Sequence, residues 1–500
     1  MNSYWIESTE VDVNFFTLAE NLSCDVCIIG AGLFGLTTAY YLSKKGLNVI
    51  VLDKSEIGEK VSGHTTAKIT SQHGIIYNYL IQSFGTDIAK KYLFANEEAI
   101  KNIKEIVSTE NINCDLINQS NYVYTTNNDE IDILKKEVQA VKSLGFNCQF
   151  VEKTSLPFEV CGAIMFPNQS SFHPRKYMIG LCNCILNNSG QIFTNTLVYD
   201  VKKEDNYYKT ITSNHCIKSK YVVLATHYPF INFPGFYFTK MYQETSYIIG
   251  IDTKEDFLDG MYITAQAPTY SFRAVKDGNK NILLIGGGNH KTGADNISYN
   301  STYALLEKKA KELYPNCELL YKWNTRDCIT LDKVPYIGEF SSLLPNMYVG
   351  TGFNKWGMTS SNVAANIVTD NILGIKNKYE KAFTSTRLKP IKNIGEVKNM
   401  LKQTASSLVV KKIKIPDSNI QDLKNGDGKI IEIDGNKIGI YKDSSGNMHA
   451  VKPTCTHLGC TLSWNNIDKT WDCPCHGSRF DYNGINIYDP AIKNLEIYNL

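Results

Sequence analysis

The hydrophobic positions near the N-terminus predict a parallel α/β unit. An apolar run at 25–29 is followed by a glycine turn, a helical pattern over 36–45 and a second apolar run over 47–52. This alternation is typical of parallel strands that are connected by helices. Further along, short β-rich runs such as 282–285 alternate with helical stretches such as 302–313. We therefore expect an α/β domain into which an α+β region is inserted.

The pattern changes in the last part of the chain and predicts a small all-β module there. Short alternating runs lie at 408–415, 430–433 and 437–441, separated by Asn-Gly, Asp-Gly and Ser-Gly pairs. Such pairs are favoured in tight β-hairpin turns. A polar, Lys-rich segment at 376–407 precedes the module. We interpret this segment as a linker that carries some helix.

Composition and charge exclude several classes of protein. The 500 residues are 43% hydrophobic, and 52 Lys and Arg residues face 50 Asp and Glu residues, which gives a net charge of +2. That balance does not favour binding to nucleic-acid phosphates or to an anionic membrane surface. The most apolar stretch, 221–238, is interrupted by polar residues and prolines, and the N-terminus lacks the pattern of a secretory signal. We expect a cytoplasmic protein with no nucleic-acid partner and no integral membrane segment.

The glycine turn has the spacing of a dinucleotide-binding loop. Gly30, Gly32 and Gly35 form a GxGxxG motif after the first predicted strand, and Asp53 ends the second strand. The first glycine makes a tight turn, the second lets the backbone approach a pyrophosphate, and the third packs the helix against the strand. The helix N-terminus attracts phosphate charge, and an acid about 20 residues further on binds a ribose hydroxyl. The pattern therefore predicts a dinucleotide site.

Two later segments indicate which dinucleotide binds. Together with the strand at 221–226, the segments 62–69 and 346–358 resemble the flavin-dependent amine and amino-acid oxidases of the D-amino-acid oxidase and glycine oxidase type. The resemblance covers about residues 24–374 and implies FAD as the cofactor. It also implies that a helix N-terminus near 357 covers the flavin ring. The residues so assigned to FAD, besides the three motif glycines and Asp53, are Ser62, Thr65, Thr66, Gly352, Phe353, Gly357 and Met358.

Fewer residues indicate where the substrate binds. Arg273 is the candidate for a substrate contact, because a basic residue in this region of the resembled family can pair with a substrate carboxylate. A surface ion pair is the alternative for Arg273. We interpret the three glycines at 286–288 as a tight turn after the strand at 281–285. No residue is assigned as a catalytic acid or base.

A cluster of cysteines and histidines lies in the C-terminal module. Ten of the 14 cysteines are scattered through the first 328 residues, and we interpret them as free buried thiols. Cys455 and His457 in one segment and Cys473 and His476 in another match the ligand set of a Rieske 2Fe-2S cluster. Zinc is the alternative, but its sites usually pair Cys with Cys and His with His.

The two other cysteines of the module refine this interpretation. Cys460 and Cys475 occupy the positions that form a disulfide between the cluster loops in Rieske proteins of the cytochrome bc type. The resemblance therefore implies a disulfide between them. Ring-hydroxylating dioxygenases normally lack this pair and need a mononuclear iron held by two histidines and a carboxylate. The five histidines from His64 to His227 show no spacing that suggests such a site.

The whole chain resembles bacterial FAD-dependent oxidoreductases of the D-amino-acid oxidase superfamily that carry a C-terminal Rieske domain. The resemblance implies oxidation of an amine or amino-acid C–N bond by hydride transfer to FAD, with electrons passed singly to the cluster and on to an unidentified carrier. Two alternatives stay open: electron flow in the reverse direction, and an electron-transfer protein without a small-molecule substrate.

These segments also set the predicted domain limits. They are 1–151 for the first part of a Rossmann-like FAD-binding domain, 152–341 for a substrate domain interleaved with FAD-binding strands near 220–227, 342–375 for the return to the FAD-binding domain, 376–407 for the linker and 408–500 for the Rieske domain.

The residue at position 480 leads to a prediction about the cluster potential. In high-potential Rieske proteins a serine and a tyrosine hydroxyl bond to the cluster sulfurs, and here Ser478 is present but Phe480 stands at the tyrosine position. Fewer hydrogen bonds stabilise the reduced cluster less. We expect Phe480→Tyr to raise the reduction potential, measured by redox titration followed by electron paramagnetic resonance. An unchanged potential would contradict the hydroxyl argument.

Overall fold

The computed structural model describes residues 3–11, 13–254, 258–293, 299–387 and 423–498. The predicted linker from 388 onward and the predicted strand at 408–415 lie outside these residues. The helices, in chain order, are α1 (Tyr4–Glu7), α2 (Leu33–Lys44), α3 (Tyr77–Phe84), α4 (Thr86–Thr109), α5 (Ile131–Ser143), α6 (Pro174–Asn187), α7 (Tyr299–Leu313), α8 (Gly357–Leu373) and α9 (Glu380–Phe383).

The strands belong to four sheets. In chain order they are β1 (Leu22–Ile29), β2 (Val49–Leu52), β3 (Lys68–Ile69), β4 (Ile117–Thr125), β5 (Gln149–Val151), β6 (Gly162–Ser171), β7 (Gln191–Phe193), β8 (Asp200–Glu204), β9 (Tyr207–Ile211), β10 (Cys216–Leu224), β11 (Met241–Asp252), β12 (Met261–Thr264), β13 (Tyr270–Asp277), β14 (Lys280–Lys291), β15 (Glu318–Thr330), β16 (Tyr336–Glu339), β17 (Met347–Thr351), β18 (Gly428–Ile433), β19 (Asn436–Lys442), β20 (Met448–Val451), β21 (Ser463–Asn465), β22 (Thr470–Asp472), β23 (Arg479–Asp481) and β24 (Asn486–Tyr488).

The first sheet is the parallel α/β unit that the sequence predicts. Its main path runs β16-β17-β10-β1-β2-β7. From β17 to β7, each strand on this path is parallel to the next. The second half of β1 is fully buried, as expected for a central strand that is covered on both faces. Helices α2 and α8 pack against each other on this sheet. The carboxyl ends of β1, β2 and β10 therefore meet at one edge.

The second sheet forms a layer opposite that edge. Its main path runs β15-β11-β14-β13-β12-β4-β6-β3. Strands β3 and β4 come from before residue 151, whereas β7 to β10 of the first sheet come from after it. The predicted limits at 1–151 and 152–341 therefore do not coincide with the two sheets. The reason is that parallel strands need long crossover connections, and here the second sheet is built within those connections.

The three glycines at 286–288 do not form the predicted tight turn. They lie inside β14, which continues to Lys291, so that expectation is wrong. A Cβ atom on Gly287 would lie 2.7 Å from the carbonyl oxygen of Thr269. These glycines therefore allow neighbouring backbone to approach the strand closely, which is the other common role of glycine in a strand.

The C-terminal module is all-β, as the sequence predicts. Strands β18 to β20 form one antiparallel sheet, and β21 to β24 form another. Trp471 and Phe480 are cross-strand partners and are fully buried in the core of the module. Within the described ranges, no helix is both long enough and apolar enough to cross a membrane.

A buried carboxylate fixes the start of α3. Glu137 of α5 accepts hydrogen bonds from the backbone N–H groups of Ile76 (2.8 Å), Tyr77 (2.6 Å) and Asn78 (2.8 Å). The residue before α3 offers no side-chain cap of its own. Glu137 therefore satisfies N–H groups that a helix leaves free at its first turn, where negative charge is also favoured.

We expect Glu137→Gln to destabilise the protein by about 1–3 kcal/mol, because it removes the charge and turns an amide donor towards backbone N–H donors. Chemical denaturation followed by tryptophan fluorescence measures this loss. The matched control is Glu105→Gln on α4, where the side chain is exposed. Equal midpoints for the two variants would contradict the capping role.

Candidate functional site: a flavin cavity beside a cluster site

A cavity of about 280 Å³ lies where the two sheets and the C-terminal module meet. The first sheet contributes Ile29, Leu52 and Ala225, at or just after the carboxyl ends of its strands. The second sheet contributes residues of β11, β13, β14 and β15. The module contributes Tyr488, Asp489 and Ile492. The wall therefore combines all three parts of the chain.

The glycine loop fits a pyrophosphate at this cavity. Gly30 has φ +111°, and a Cβ atom there would lie 2.4 Å from the carbonyl oxygen of Ala225. A Cβ atom on Gly35 would lie 1.9 Å from the carbonyl oxygen of Gly30, so only glycine lets α2 pack this closely. Helix α2 starts at Leu33 after Gly32 and has no side-chain cap. The N–H of Leu33 donates to Oγ of Ser62 at 3.3 Å, so the other N–H groups of the first turn and the helix dipole provide a site for an anion.

Asp53 holds the same loop from the next strand. Its carboxylate accepts hydrogen bonds from the backbone N–H groups of Ala31 (2.7 Å) and Ser55 (2.8 Å). Burial raises the pKa of Asp53, while these two N–H groups favour the ionised form. The side chain also lines the cavity. Asp53 is thus placed both to order the loop and to face the predicted ribose.

The structure brings most of the predicted FAD residues to one wall. Nine of them line the cavity: Gly30, Gly32, Asp53, Ser62, Thr65, Thr66, Phe353, Gly357 and Met358. Gly352 does not line the cavity. It has φ +69° and lies against the methyl group of Thr330. Helix α8 starts at Gly357 without a side-chain cap, so a second helix N-terminus meets the cavity.

Arg273 is not placed to contact a substrate, which corrects the prediction. It lies within β13 and is 2% exposed, so the alternative of a surface ion pair is also wrong. Its guanidinium donates to the backbone carbonyls of Thr66 (2.6 Å), Ala67 (3.0 Å) and Phe172 (2.8 Å). It also stacks on the ring of Trp5 at 4.8 Å. Arg273 therefore positions the loop that follows Thr65.

Sequence reasoning missed several residues of the cavity wall. His227, Lys355 and Asp327 line the cavity, as do Lys68 and the module residue Asp489. Lys68 and Lys355 lie in the segments 62–69 and 346–358 that resemble the oxidase family, but the sequence alone did not indicate that their side chains line the cavity. His227, Asp327 and Asp489 reach the wall through the tertiary fold.

The four predicted cluster ligands converge at the tips of the module's two loops. Cys455 and Cys473 are free, buried thiols that hydrogen-bond to each other. The rings of His457 and His476 lie 5.0 Å apart. The Nδ1 atoms of both histidines are buried and have no partner. Two adjacent thiols and two unpartnered imidazole nitrogens form the donor set of a Rieske 2Fe-2S cluster, so the residues fit this group.

The two cluster loops are joined by the disulfide that the resemblance implies. Cys460 and Cys475 form this bond, with a Cα–Cα separation of 6.6 Å. The sulfur of Cys473 lies close to both, but the disulfide leaves only Cys473 of the three as a ligand. Ser478 hydrogen-bonds to Cys455 and accepts from the backbone N–H of Ala491 (3.0 Å). The ten cysteines outside the module are free thiols, and seven of them are buried.

Both candidate histidine ligands face the flavin-binding part of the chain. The Nε2 atom of His457 lies 2.6 Å from Oδ1 of Asn232. The ring of Phe238 lies 6.0 Å from that of His476, and the ring of Tyr228 lies 6.4 Å from it. The cluster site is therefore turned inward, towards the segment that follows β10.

Strand β15 contacts the module with one face and the cavity with the other. Asn324 and Arg326 point to one face, where both donate to the carboxylate of Asp468 in the module. Thr325 and Asp327 point to the other face and line the cavity. Alternation along a strand thus places docking residues and cavity residues side by side.

Comparison with known proteins agrees with this arrangement. A family model described as FAD dependent oxidoreductase matches residues 25–371, and one described as Rieske [2Fe-2S] domain matches residues 414–499. The chain belongs to the FAD dependent oxidoreductase family and carries a Rieske domain. It is thus an oxidoreductase, with FAD and a 2Fe-2S cluster as its cofactors.

Individual relatives and structures support the same assignment. The chain is 36% identical over 498 residues to a putative Rieske 2Fe-2S iron-sulfur protein, YhfW, of Bacillus subtilis (strain 168), a match that covers 100% of this chain and 97% of that one. It is 22% identical to gamma-glutamylputrescine oxidoreductase of Escherichia coli (strain K12), over 76% of this chain and 90% of that one. Glycine oxidase from Geobacillus kaustophilus has a similar fold, with a TM-score of 0.62 at 18% identity, covering 74% of this chain and 100% of that one.

The docking of the module depends on one shared carboxylate. Asp468 accepts from Arg479 at 2.6 Å and from Arg326 at 3.4 Å, and both arginines are almost fully buried. Burial raises the pKa of Asp468, but the two arginines hold it below its usual value. Because the pKa is lower in the folded state, the ionised carboxylate stabilises the docked module above about pH 4, and this contribution is lost as the pH falls through the folded pKa.

We expect Asp468→Asn to lower the stability of the module at neutral pH by about 3 kcal/mol, because it leaves the buried guanidinium of Arg326 without its anion, whereas Arg479 keeps Asp472. The difference from the parent protein should shrink as the pH falls below about 4. Thermal unfolding at a series of pH values measures both effects. The exposed Glu432→Gln on β18 serves as control, and a pH-independent effect of Asp468→Asn would contradict the ionic role.

Proposed function

We propose that this protein oxidises the C–N bond of an amine or amino acid with FAD and passes the electrons singly to the 2Fe-2S cluster of its own C-terminal module. The observation that carries the proposal is the shared wall: Tyr488 and Asp489 of the module line the same cavity as the glycine loop. When bound, FAD takes two electrons from an organic substrate, and a Rieske cluster takes one at a time.

Residues of the first sheet would hold the flavin nucleotide. The free N–H groups at the start of α2 would bind the pyrophosphate, and Asp53 would face a ribose hydroxyl. The start of α8 at Gly357 would direct its dipole towards negative charge on the ring system. Loop residue Thr66 is held in place by the buried guanidinium of Arg273, and Thr65 by the indole N–H of Trp5.

Very little protein separates the two sites, which supports electron transfer within one chain. His227 lines the cavity, and the next residue, Tyr228, contacts the candidate ligand His476. Gln243 also lines the cavity and lies against Gly477, where a Cβ atom would come within 2.5 Å of its side-chain oxygen. Burial lowers the pKa of His227 to about 4, so this ring is neutral at physiological pH.

The substrate class is carried over from the relatives. Two of them are named for gamma-glutamylputrescine and for glycine, which both contain an amino group. Oxidation of an amine removes two electrons and two protons from the C–N bond and leaves an imine, which water hydrolyses. An external one-electron acceptor would then reoxidise the cluster twice in each turnover.

An anaerobic experiment tests this function. The purified holoprotein is mixed with a panel of amines and amino acids, while the flavin absorbance and the signal of the reduced cluster are recorded. We expect at least one compound to bleach the flavin, followed by the cluster signal. In the Cys473→Ser protein, which lacks one candidate ligand, the same compound should bleach the flavin without that signal.

Two other outcomes would contradict the proposal. If the cluster is present but no compound reduces the flavin, the proposed direction of electron flow and the substrate class are wrong. If the flavin is bleached but the cluster stays oxidised, internal electron transfer is wrong.

A further inference from the structure

One carboxylate on the cavity wall has no partner. Asp327 lies on β15 and lines the cavity. Among the residues that the structure describes, none donates a hydrogen bond to its carboxylate or forms an ion pair with it, and only the more distant charges of Lys355 and Glu244 act on it. Asp327 is partly buried, and its side chain forms part of the cavity wall.

Its cross-strand neighbour has a different environment. Glu244 of β11 is directly opposite Asp327. The carboxylate of Glu244 forms an ion pair with Nζ of Lys355 at 2.8 Å and accepts from the hydroxyl of Tyr242 at 3.1 Å. Although burial favours the neutral form, Lys355 holds the pKa of Glu244 below its usual value. Lys355 therefore neutralises Glu244. The charge of Asp327 remains, so these three side chains together carry one negative charge.

Other positive groups of the wall do not neutralise Asp327. Lys54 pairs with Asp489 at 2.8 Å, and Lys60 donates to the backbone carbonyl of Ile487 at 3.5 Å and lies over the ring of Tyr488. Lys68 donates to the backbone carbonyl of Tyr262 and to the hydroxyl of Ser271 on β13, three strands away from β15, which is about 14 Å at the usual strand spacing. No arginine of the described chain lines the cavity.

A partly buried carboxylate without a partner is costly, and such groups in cavities are candidates for function. Burial raises the pKa of Asp327 to about 6, and the nearby charges act in opposite directions, with Lys355 lowering the pKa and Glu244 raising it. At neutral pH most of the carboxylate is therefore ionised. A cation bound in the cavity would compensate the charge of Asp327.

We propose that Asp327 binds the ammonium group of the substrate and that the site takes a protonated primary or secondary amine. The inference rests on the proposed function and narrows its substrate class. An α-amino acid would bring its own carboxylate beside Asp327 and Glu244, and like charges at this distance repel. The structure therefore favours an amine without an adjacent carboxylate.

The test measures binding to the oxidised holoprotein, so that turnover is not needed. n-Butylammonium and butyrate, which have similar shapes and opposite charges, are titrated separately under anaerobic conditions. Perturbation of the oxidised flavin spectrum and calorimetry report binding. We expect saturable binding of n-butylammonium, at least about tenfold weaker in Asp327→Asn and restored in part by Asp327→Glu. Glu318→Gln, an exposed change at the far end of β15, should bind like the parent protein.

The outcomes separate this inference from the proposed function. If Asp327→Asn binds n-butylammonium as tightly as the parent, or if the parent does not bind it, the ammonium site is wrong even where some amine bleaches the flavin. Preferred binding of butyrate, lost in Lys68→Met, would also overturn it and would assign an anionic ligand to Lys68. If binding depends on Asp327 but no compound bleaches the flavin, the cation site stands and the proposed function fails.

Discussion

The arrangement of the two sites depends on one partly buried carboxylate that is shared by two buried arginines. Asp468 of the module lies between Arg479 of its own module and Arg326 of β15, and Arg479 also pairs with the buried Asp472 at 2.6 Å. Buried ion pairs of this kind contribute less to stability than well-packed apolar residues would, because desolvation offsets their attraction. They do specify an orientation, since each charge must meet its partner. Here that orientation places the module on the outer face of β15.

Strand β15 connects the docked module to the cavity. Its alternating side chains reach Asp468 on one face and the cavity on the other, so the module cannot shift along the strand without losing either contact. The same geometry brings the inward-facing imidazoles against Tyr228 and Phe238. The outer nitrogen of His457 is occupied by Asn232 of the same chain.

The sequence predicted the parts of both sites that depend on local spacing. These parts are the glycine loop with Asp53, the Cys-x-His segment and the Cys-x-x-His segment. In each of these short patterns, turn geometry or ligand chemistry requires the residue types. What could not be predicted came from packing between distant segments. Arg273 has the charge expected of a substrate contact, but the fold buries it against three backbone carbonyls. Similarly, a run of glycines signals close approach of backbone as well as a turn, and only the neighbouring strands decide between them.

The closure of the cavity by the module has a consequence for biosynthesis. Tyr488, Asp489 and Ile492 complete a wall whose other residues lie before residue 362. A ribosome therefore releases the flavin-binding part of the chain first, and domains generally fold as they emerge. The segment that completes the cavity wall, and that the ion pair between Lys54 and Asp489 holds in place, is thus synthesised after all the other residues of the wall.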